Sequence, residues 1–187
     1  MTGLLQGRIS RWSMLAALLV TAGLSLAWNG QRHYRLGGGF IGRPIDSGGM
    51  HWSAFQAPLD PAGKTAALRV DVYSYSELAA GLLAYSGADA LSDGIGQLAM
   101  ISNDTAKGSL VFYGMKQGTL GTPREVKQIW LFDGITKFTG PDSYNVDGVM
   151  LVYSAEADGD GDGRPDSGAL PIVDPIPALY AVTRVLP

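Results

Sequence analysis

The chain of 187 residues contains no cysteine, only two histidines and no excess of positive charge. Without cysteine, the protein has no disulfide framework, no zinc–thiolate site and no cysteine nucleophile. Its 17 acidic side chains outnumber 14 basic ones, so it has no basic footprint and we expect no nucleic-acid partner. His33 and His51 do not have the spacing of metal ligands, and no G-x-S-x-G motif is present. We therefore predict no catalytic residues, and a non-catalytic protein is favoured.

No acidic residue precedes Asp46, and residues 1–27 have the pattern of an export signal. Two arginines precede an apolar run at 14–26, and Ser25 and Ala27 are the small residues of a cleavage site. A membrane-spanning helix needs about 20 apolar residues, more than this run supplies. We predict a secreted or periplasmic protein, and the missing cysteines favour a bacterial source. The alternative is an uncleaved N-terminal segment that anchors the protein to a membrane.

The remaining sequence predicts a glycine-rich arm followed by one β domain. Residues 28–48 are rich in glycine and polar residues and are predicted to be irregular. Residues 49–187 are predicted to form a single domain in which apolar and polar side chains mostly alternate, as they do from Leu68 to Val72. The predicted strands cover 50–56, 67–73, 95–102, 109–115, 126–132, 135–139, 144–154 and 178–186.

The connections between these strands are mostly short. Residues 103–108 are typical of a hairpin connection. Asp133-Gly134 is the two-residue signal of a type I′ turn, which predicts a hairpin between 126–132 and 135–139. Strands joined in this way are typical of an antiparallel meander.

One short helix interrupts the strands near residues 75–85. Ser74 and Glu77 have the spacing of a capping box, and an apolar run of helical length follows them. The sequence therefore predicts a mainly β fold, an antiparallel barrel or sandwich of about eight strands with one short helix. This architecture resembles that of lipocalin-like and other calycin barrels. The chain also resembles uncharacterised exported bacterial β-proteins, a likeness that implies no mechanism.

Residues 156–168 contain the one motif that indicates specific chemistry. Aspartates occupy alternate positions from Asp158 to Asp162, and Gly163 stands at the sixth position counted from Asp158. Hard cations such as Ca²⁺ prefer six to eight oxygen ligands, which this spacing can wrap around an ion. The predicted calcium ligands are Asp158, Asp160, Asp162, Asp166 and the carbonyl of Arg164. Glu156 or Asp174 is expected to complete the shell.

The segment resembles the D-x-D-x-D-G calcium loops of EF-hands, dockerins and thrombospondin type 3 repeats. Two positions depart from the EF-hand pattern: Ala169 stands where the bidentate glutamate belongs, and Pro165 lacks the N–H that pairs two loops. The resemblance therefore implies a single calcium loop at the tip of the last hairpin, not a paired EF-hand. The alternative is a solvated acidic loop without a metal ion.

These features lead to one main functional prediction and two alternatives. The main prediction is an exported, calcium-stabilised, non-catalytic β domain that binds a small apolar ligand or a surface partner. The alternatives are a small barrel enzyme of isomerase or cyclase type, and a structural or matrix protein that assembles through its calcium loop. A cavity without a buried ionisable residue favours a binder, and a cavity with one favours an enzyme. A filled core with a long free edge strand favours assembly.

Overall fold

The computed structural model describes residue 34 and residues 36–45, 49–118 and 124–186. The predicted leader at 1–27 lies outside these residues, as does much of the predicted arm. The elements, in chain order, are β1 (Gly38–Pro44), β2 (His51–Pro58), β3 (Thr65–Ser74), α1 (Glu77–Ser86), β4 (Ala90–Leu91), β5 (Gly94–Met100), β6 (Thr105–Lys116), β7 (Glu125–Gly140), β8 (Ser143–Ser154), a 3₁₀ helix (Ala155–Ala157) and β9 (Ile176–Leu186).

Eight of the strands form a closed antiparallel barrel. Their order around the barrel is β1, β2, β3, β5, β6, β7, β8 and β9, and β9 pairs with β1 to close the ring. The two-residue strand β4 pairs with β6. Each barrel strand lies beside the barrel strands that precede and follow it in the chain, so the fold is an up-and-down meander. The predicted mainly β fold with one short helix is confirmed.

The alternation of side chains places the core inside the barrel. On β3, Leu68, Val70 and Val72 face the interior, and the intervening Arg69 and Asp71 are exposed, as the sequence predicts. The same alternation continues around the ring, because successive side chains of a strand point to opposite faces of the sheet. The resulting core is one cluster that includes Trp130 and Phe132 of β7.

The two ends of the barrel are closed differently. At the helix end, α1 packs over the interior through Ala79 and Leu83. At the opposite end, which we call the turn end, tight turns join β2 to β3, β5 to β6 and β7 to β8. There the Leu36 N–H donates to the Gly63 carbonyl (2.9 Å), and the Leu36 side chain is 2% exposed. The residues just before β1 therefore belong to the packed domain.

The prediction of an irregular arm at 28–48 is wrong for the part that forms β1. Its backbone pairs with β2 on one side and β9 on the other. Glycine is required at Gly42, because a Cβ there would lie 2.1 Å from a carbon of the Trp52 ring. Gly42 therefore reflects close packing against Trp52, and the neighbouring Phe40 is buried at 2% exposure.

The predicted turn at Asp133-Gly134 is also wrong, because β7 runs through both residues without a break. A type I′ turn needs positive φ at two residues, and Gly134 does not have it. A Cβ at Gly134 would lie 2.5 Å from Cζ of Phe132, and a Cβ at the paired Gly148 would lie equally close to that atom. Gly134 thus leaves room for the Phe132 ring. Similarly, β6 begins at Thr105, inside the connection predicted at 103–108.

The predicted helix is present, but its N-cap is Ser76 and not Ser74. The Ser76 hydroxyl accepts the N–H of Ala79 (3.2 Å), and Gly87 ends the helix with φ of 75°. Within the described part of the chain, no helix combines the length and hydropathy needed to span a membrane.

Candidate functional site

The acidic motif lies in the connection from β8 to β9 and forms a closed turn. After the 3₁₀ helix the chain runs outward, and it returns where the Asp166 N–H donates to the Ala157 carbonyl (2.7 Å). Gly161 and Gly163 have φ values of 76° and 85°, a left-handed conformation that glycine adopts without strain. We call residues 157–166 the acidic loop.

Backbone N–H groups of this loop bind its own carboxylates. Each of four aspartates accepts one such bond through one oxygen: Asp158 from Gly163 (3.0 Å), Asp160 from Asp162 (3.1 Å), Asp162 from Arg164 (2.8 Å) and Asp166 from Gly159 (3.1 Å). These bonds hold the side chains against the turn and leave a second oxygen on each carboxylate.

Three of the predicted ligands converge on one point. One carboxylate oxygen from each of Asp158, Asp160 and Asp166 lies within 4.8 Å of the other two. Oδ1 of Asp158 is buried and accepts no hydrogen bond from the residues that the structure describes. A buried carboxylate oxygen without a donor is costly unless a cation neutralises it. The arrangement therefore suits a hard cation.

The other predicted ligands lie outside this group of three. Asp162 is hydrogen-bonded to the N–H of Arg164, and both residues are exposed. Glu156 and Asp174, predicted to complete the shell, are likewise not among the three converging carboxylates. The geometry thus brings together three of the four predicted aspartates, and Asp162 is the exception.

The acidic loop is fastened to the outside of the barrel. The Tyr113 hydroxyl donates to the Gly163 carbonyl (3.0 Å). Beside this bond lies a second apolar cluster on the outer face of β6, β7 and β8, in which Val111, Ile129 and Tyr153 are buried. Ala157 and Ala169 of the β8–β9 connection pack against it. These outward-facing apolar residues are covered by the connection, a pairing that alternation alone does not predict.

A second candidate site is the barrel interior, which contains a cavity of about 50 Å³. Its wall is almost entirely apolar, and its polar side chains are Gln56, Thr136 and two tyrosines. The described residues that line it include no Asp, Glu, His, Lys or Arg. Pockets for drug-sized ligands measure about 300–1,000 Å³, so this cavity fits only a very small ligand or part of a larger one.

Tyr144 is the polar centre of the turn end. Its hydroxyl accepts a hydrogen bond from Nε2 of Gln56 (3.0 Å), and Oε1 of Gln56 accepts the Gly37 N–H (3.3 Å). Burial raises the pKa of Tyr144 above its usual value, while the charge of Arg184 acts in the opposite direction. The phenol is therefore neutral at physiological pH.

Two acidic side chains outside the acidic loop also lie close together. Asp71 and Asp93 meet on the outer surface around Arg69, whose guanidinium lies 3.5 Å from Asp71 and 2.5 Å from Asp93. Partial burial raises the pKa of Asp71, the neighbouring Asp93 raises it further, and Arg69 lowers it. Glu77 stands apart, in the first turn of α1. Both carboxylates are exposed, and Asp93 lines a polar surface pocket to which Asp71 does not contribute.

The histidines contribute no catalytic arrangement that the structure records. His51 is exposed on the outside of the barrel, with its ring 6.1 Å from that of Tyr73. His33 lies outside the described residues.

Comparison of the chain with protein-family models, with curated proteins and with solved structures yields no match.

Proposed function

We propose that the protein is an exported, calcium-stabilised, non-catalytic β-barrel that binds a small apolar ligand in its interior. The observation that carries the binding role is the apolar cavity inside a closed ring of strands. Two of its polar groups, Gln56 and Tyr144, are hydrogen-bonded to each other. Such an interior excludes water and favours apolar ligands. The leader pattern at 1–27 supports export.

The calcium role is supported by the acidic loop. Three aspartates direct an oxygen each toward one point, and Oδ1 of Asp158 lacks a hydrogen-bond donor among the described residues. Backbone carbonyls and water are the usual further ligands of Ca²⁺. An ion here would offset two of the three converging negative charges and hold the connection from β8 to β9 against the apolar cluster around Ile129. Its role is therefore to stabilise the fold.

Calcium is expected to raise the melting temperature. A site without the bidentate glutamate should bind with a Kd on the order of 10⁻⁴ to 10⁻³ M. At a hundredfold excess over Kd, binding to the native state alone stabilises by about 2.7 kcal/mol, which raises Tm by about 5–10 °C in a protein of this size. Differential scanning calorimetry with calcium and with chelator, at matched ionic strength, measures this difference.

A pair of variants assigns the effect to the loop. Asp160→Ala should remove most of the calcium-dependent rise in Tm, because it deletes one of the converging carboxylates. Asp147→Ala is the matched control, since Asp147 is an exposed aspartate of β8 that lies outside the acidic loop. Equal melting temperatures of the unsubstituted protein in calcium and in chelator would contradict the calcium proposal.

Xenon tests the interior cavity, because dry apolar cavities bind it. We expect xenon to shift the methyl NMR signals of Leu68 and Val146, which line the cavity. Ala54→Val places a larger side chain in the cavity wall and should weaken these shifts. Ala57→Val, on the outward face of the same strand, should leave them unchanged. Absence of xenon-dependent shifts in the unsubstituted protein would refute interior binding.

A second candidate function is a small barrel enzyme of isomerase or cyclase type. The buried hydroxyl group of Tyr144 favours this function. Tyr144 is buried and lines the cavity, and its hydroxyl can donate a hydrogen bond to a substrate oxygen. The raised pKa keeps the phenol protonated, however, so it cannot serve as a base near neutral pH. Assembly through a free strand is less well supported, because closure pairs both edges of each barrel strand.

A further inference from the structure

The turn end of the barrel contains a cationic group with an unused donor. Arg184 follows Tyr180 and Val182 on the inward-facing side of β9, and its guanidinium carbon lies 5.2 Å from the centre of the Phe40 ring. Its Nε–H is buried and finds no acceptor among the described residues. The nearest carboxylate oxygen, on the exposed Asp142, is 3.7 Å away, which is too long for a hydrogen bond.

A second unused donor lies close by. The Tyr144 hydroxyl accepts the bond from Gln56, and the structure gives its own proton no acceptor among the described residues. The Phe40 ring contacts both groups, with its centre 5.1 Å from that of Tyr144. Arg184 also interacts electrostatically with the phenol. Its positive charge lowers the Tyr144 pKa, whereas burial raises that pKa. Both donor-bearing side chains thus lie against the Phe40 ring.

These donors indicate the chemistry of a ligand. Both can give a hydrogen bond, one is positively charged, and each needs an oxygen acceptor. A carboxylate supplies two oxygens in one plane, which is the geometry that a guanidinium binds best. A dianion such as phosphate fits less well, because one arginine would leave a charge unneutralised in a low-dielectric enclosure.

The cavity limits the rest of the ligand. Tyr144 and Gln56 belong to its wall, so the cavity adjoins the Tyr144 side chain. Its volume of about 50 Å³ accommodates a short hydrocarbon tail, not a long acyl chain. Met50 and Met150 also line it, and flexible methionines allow a modest enlargement.

We propose that the barrel binds a small monocarboxylate, with its carboxylate on Arg184 and Tyr144 and its short apolar tail in the cavity. This inference rests on the interior ligand binding proposed above and specifies the ligand class. The ligand gives the orphaned Nε–H its acceptor and competes for the guanidinium charge with Asp142, which lies 3.7 Å from that nitrogen without a hydrogen bond. It enters at the turn end, where Arg184 is partly exposed.

Isothermal titration calorimetry with sodium butyrate tests the proposal, and butyramide is the neutral ligand of the same shape. We expect butyrate to bind at least tenfold more tightly, because hydrogen bonds to a charged group are the stronger ones. Arg184→Leu should reduce the butyrate affinity about tenfold or more, and Tyr144→Phe should cause a smaller loss. Arg43→Leu is the control, since Arg43 is exposed on the adjacent strand β1.

The results of these experiments distinguish the monocarboxylate site from ligand binding in the apolar cavity alone. If xenon occupies the cavity but butyrate binds no better than butyramide, the monocarboxylate site is wrong and the apolar cavity stands. If butyrate binds equally well to the Arg184→Leu and unsubstituted proteins, its site lies elsewhere and the inference is overturned. If neither xenon nor butyrate binds, both proposals fail. Circular dichroism of each variant establishes that it is folded, and Tyr144→Phe provides an independent test if Arg184→Leu is not.

Discussion

At the scale of single residues, Asp60 shows how one carboxylate organises a turn. Its two oxygens accept the backbone N–H groups of Ala62, Lys64 and Thr65 and the hydroxyl of Thr65. These bonds favour the charged carboxylate, and the largest contribution, from the Thr65 hydroxyl, helps to lower its pKa from 3.8 to about 2. The same turn holds the Gly63 carbonyl that accepts the Leu36 N–H. Asp60 thus supports closure of the turn end.

This shift predicts a particular dependence of stability on pH. Because the folded pKa lies below the unfolded one, the stabilisation by Asp60 is complete above about pH 4 and is lost as the pH falls through 2. Asp60→Asn should therefore lower the urea midpoint at pH 7, and its difference from the unsubstituted protein should shrink between pH 4 and pH 2. Asp147→Asn, on the exposed face of β8, is the control. A difference independent of pH would contradict this role.

Residue spacing predicted one candidate site and could not predict the other. The alternating aspartates identified the acidic loop, since neighbours in sequence are neighbours in a turn. The same spacing did not reveal that Asp162 lies outside the converging group, which depends on how the loop folds back. Arg184 and Tyr144 come together only when β9 pairs with β8, which places Tyr144 opposite Val182. No local pattern carries that information.

At the scale of elements, the alternation of apolar and polar side chains predicts strands correctly where both faces have side chains. It fails where glycines interrupt the pattern. The pattern of β3 was read correctly because both of its faces have distinctive side chains. Strand β1 was missed because Gly38, Gly39 and Gly42 have no side chain to show a period. In β7, Asp133-Gly134 was mistaken for a turn, although Gly134 is required by the Phe132 ring. Glycine is therefore ambiguous between a turn and a close contact.

The same substitution at two glycines should have opposite effects. Gly81 lies in α1, with no atom within 4 Å of a Cβ built on it, so Gly81→Ala should stabilise by about 1 kcal/mol. At Gly134 the new methyl group would collide with the Phe132 ring, and we expect a loss of about 1–3 kcal/mol. Urea unfolding of both variants measures the changes. A neutral Gly134→Ala would show that the ring is not confined there.

At the scale of the whole molecule, the ring closes between the first and last strands. Gly39 pairs with Leu186, and Gly42 pairs with Val182. The sequence predicted about eight strands, but two errors cancelled: β1 was omitted, and β7 was divided into two. The barrel architecture survived because its total of alternating segments was unchanged. Closure of the ring pairs residues that lie far apart in the sequence, such as Gly39 and Leu186. Local sequence patterns do not encode such a pairing.

Closure predicts which circular permutants fold. A flexible linker of about eight residues should join the end of β9 to Tyr34, because the last and first strands are neighbours. New termini between Gln117 and Arg124, in the β6–β7 connection, keep every strand intact, and this permutant should show the parent's circular dichroism and cooperative unfolding. New termini between Asp133 and Gly134 divide β7, which pairs with both β6 and β8. That permutant should lose cooperative unfolding, whereas a true turn at this position would tolerate the cut. Equal stability of the two permutants would therefore contradict the continuous β7 strand on which the barrel depends.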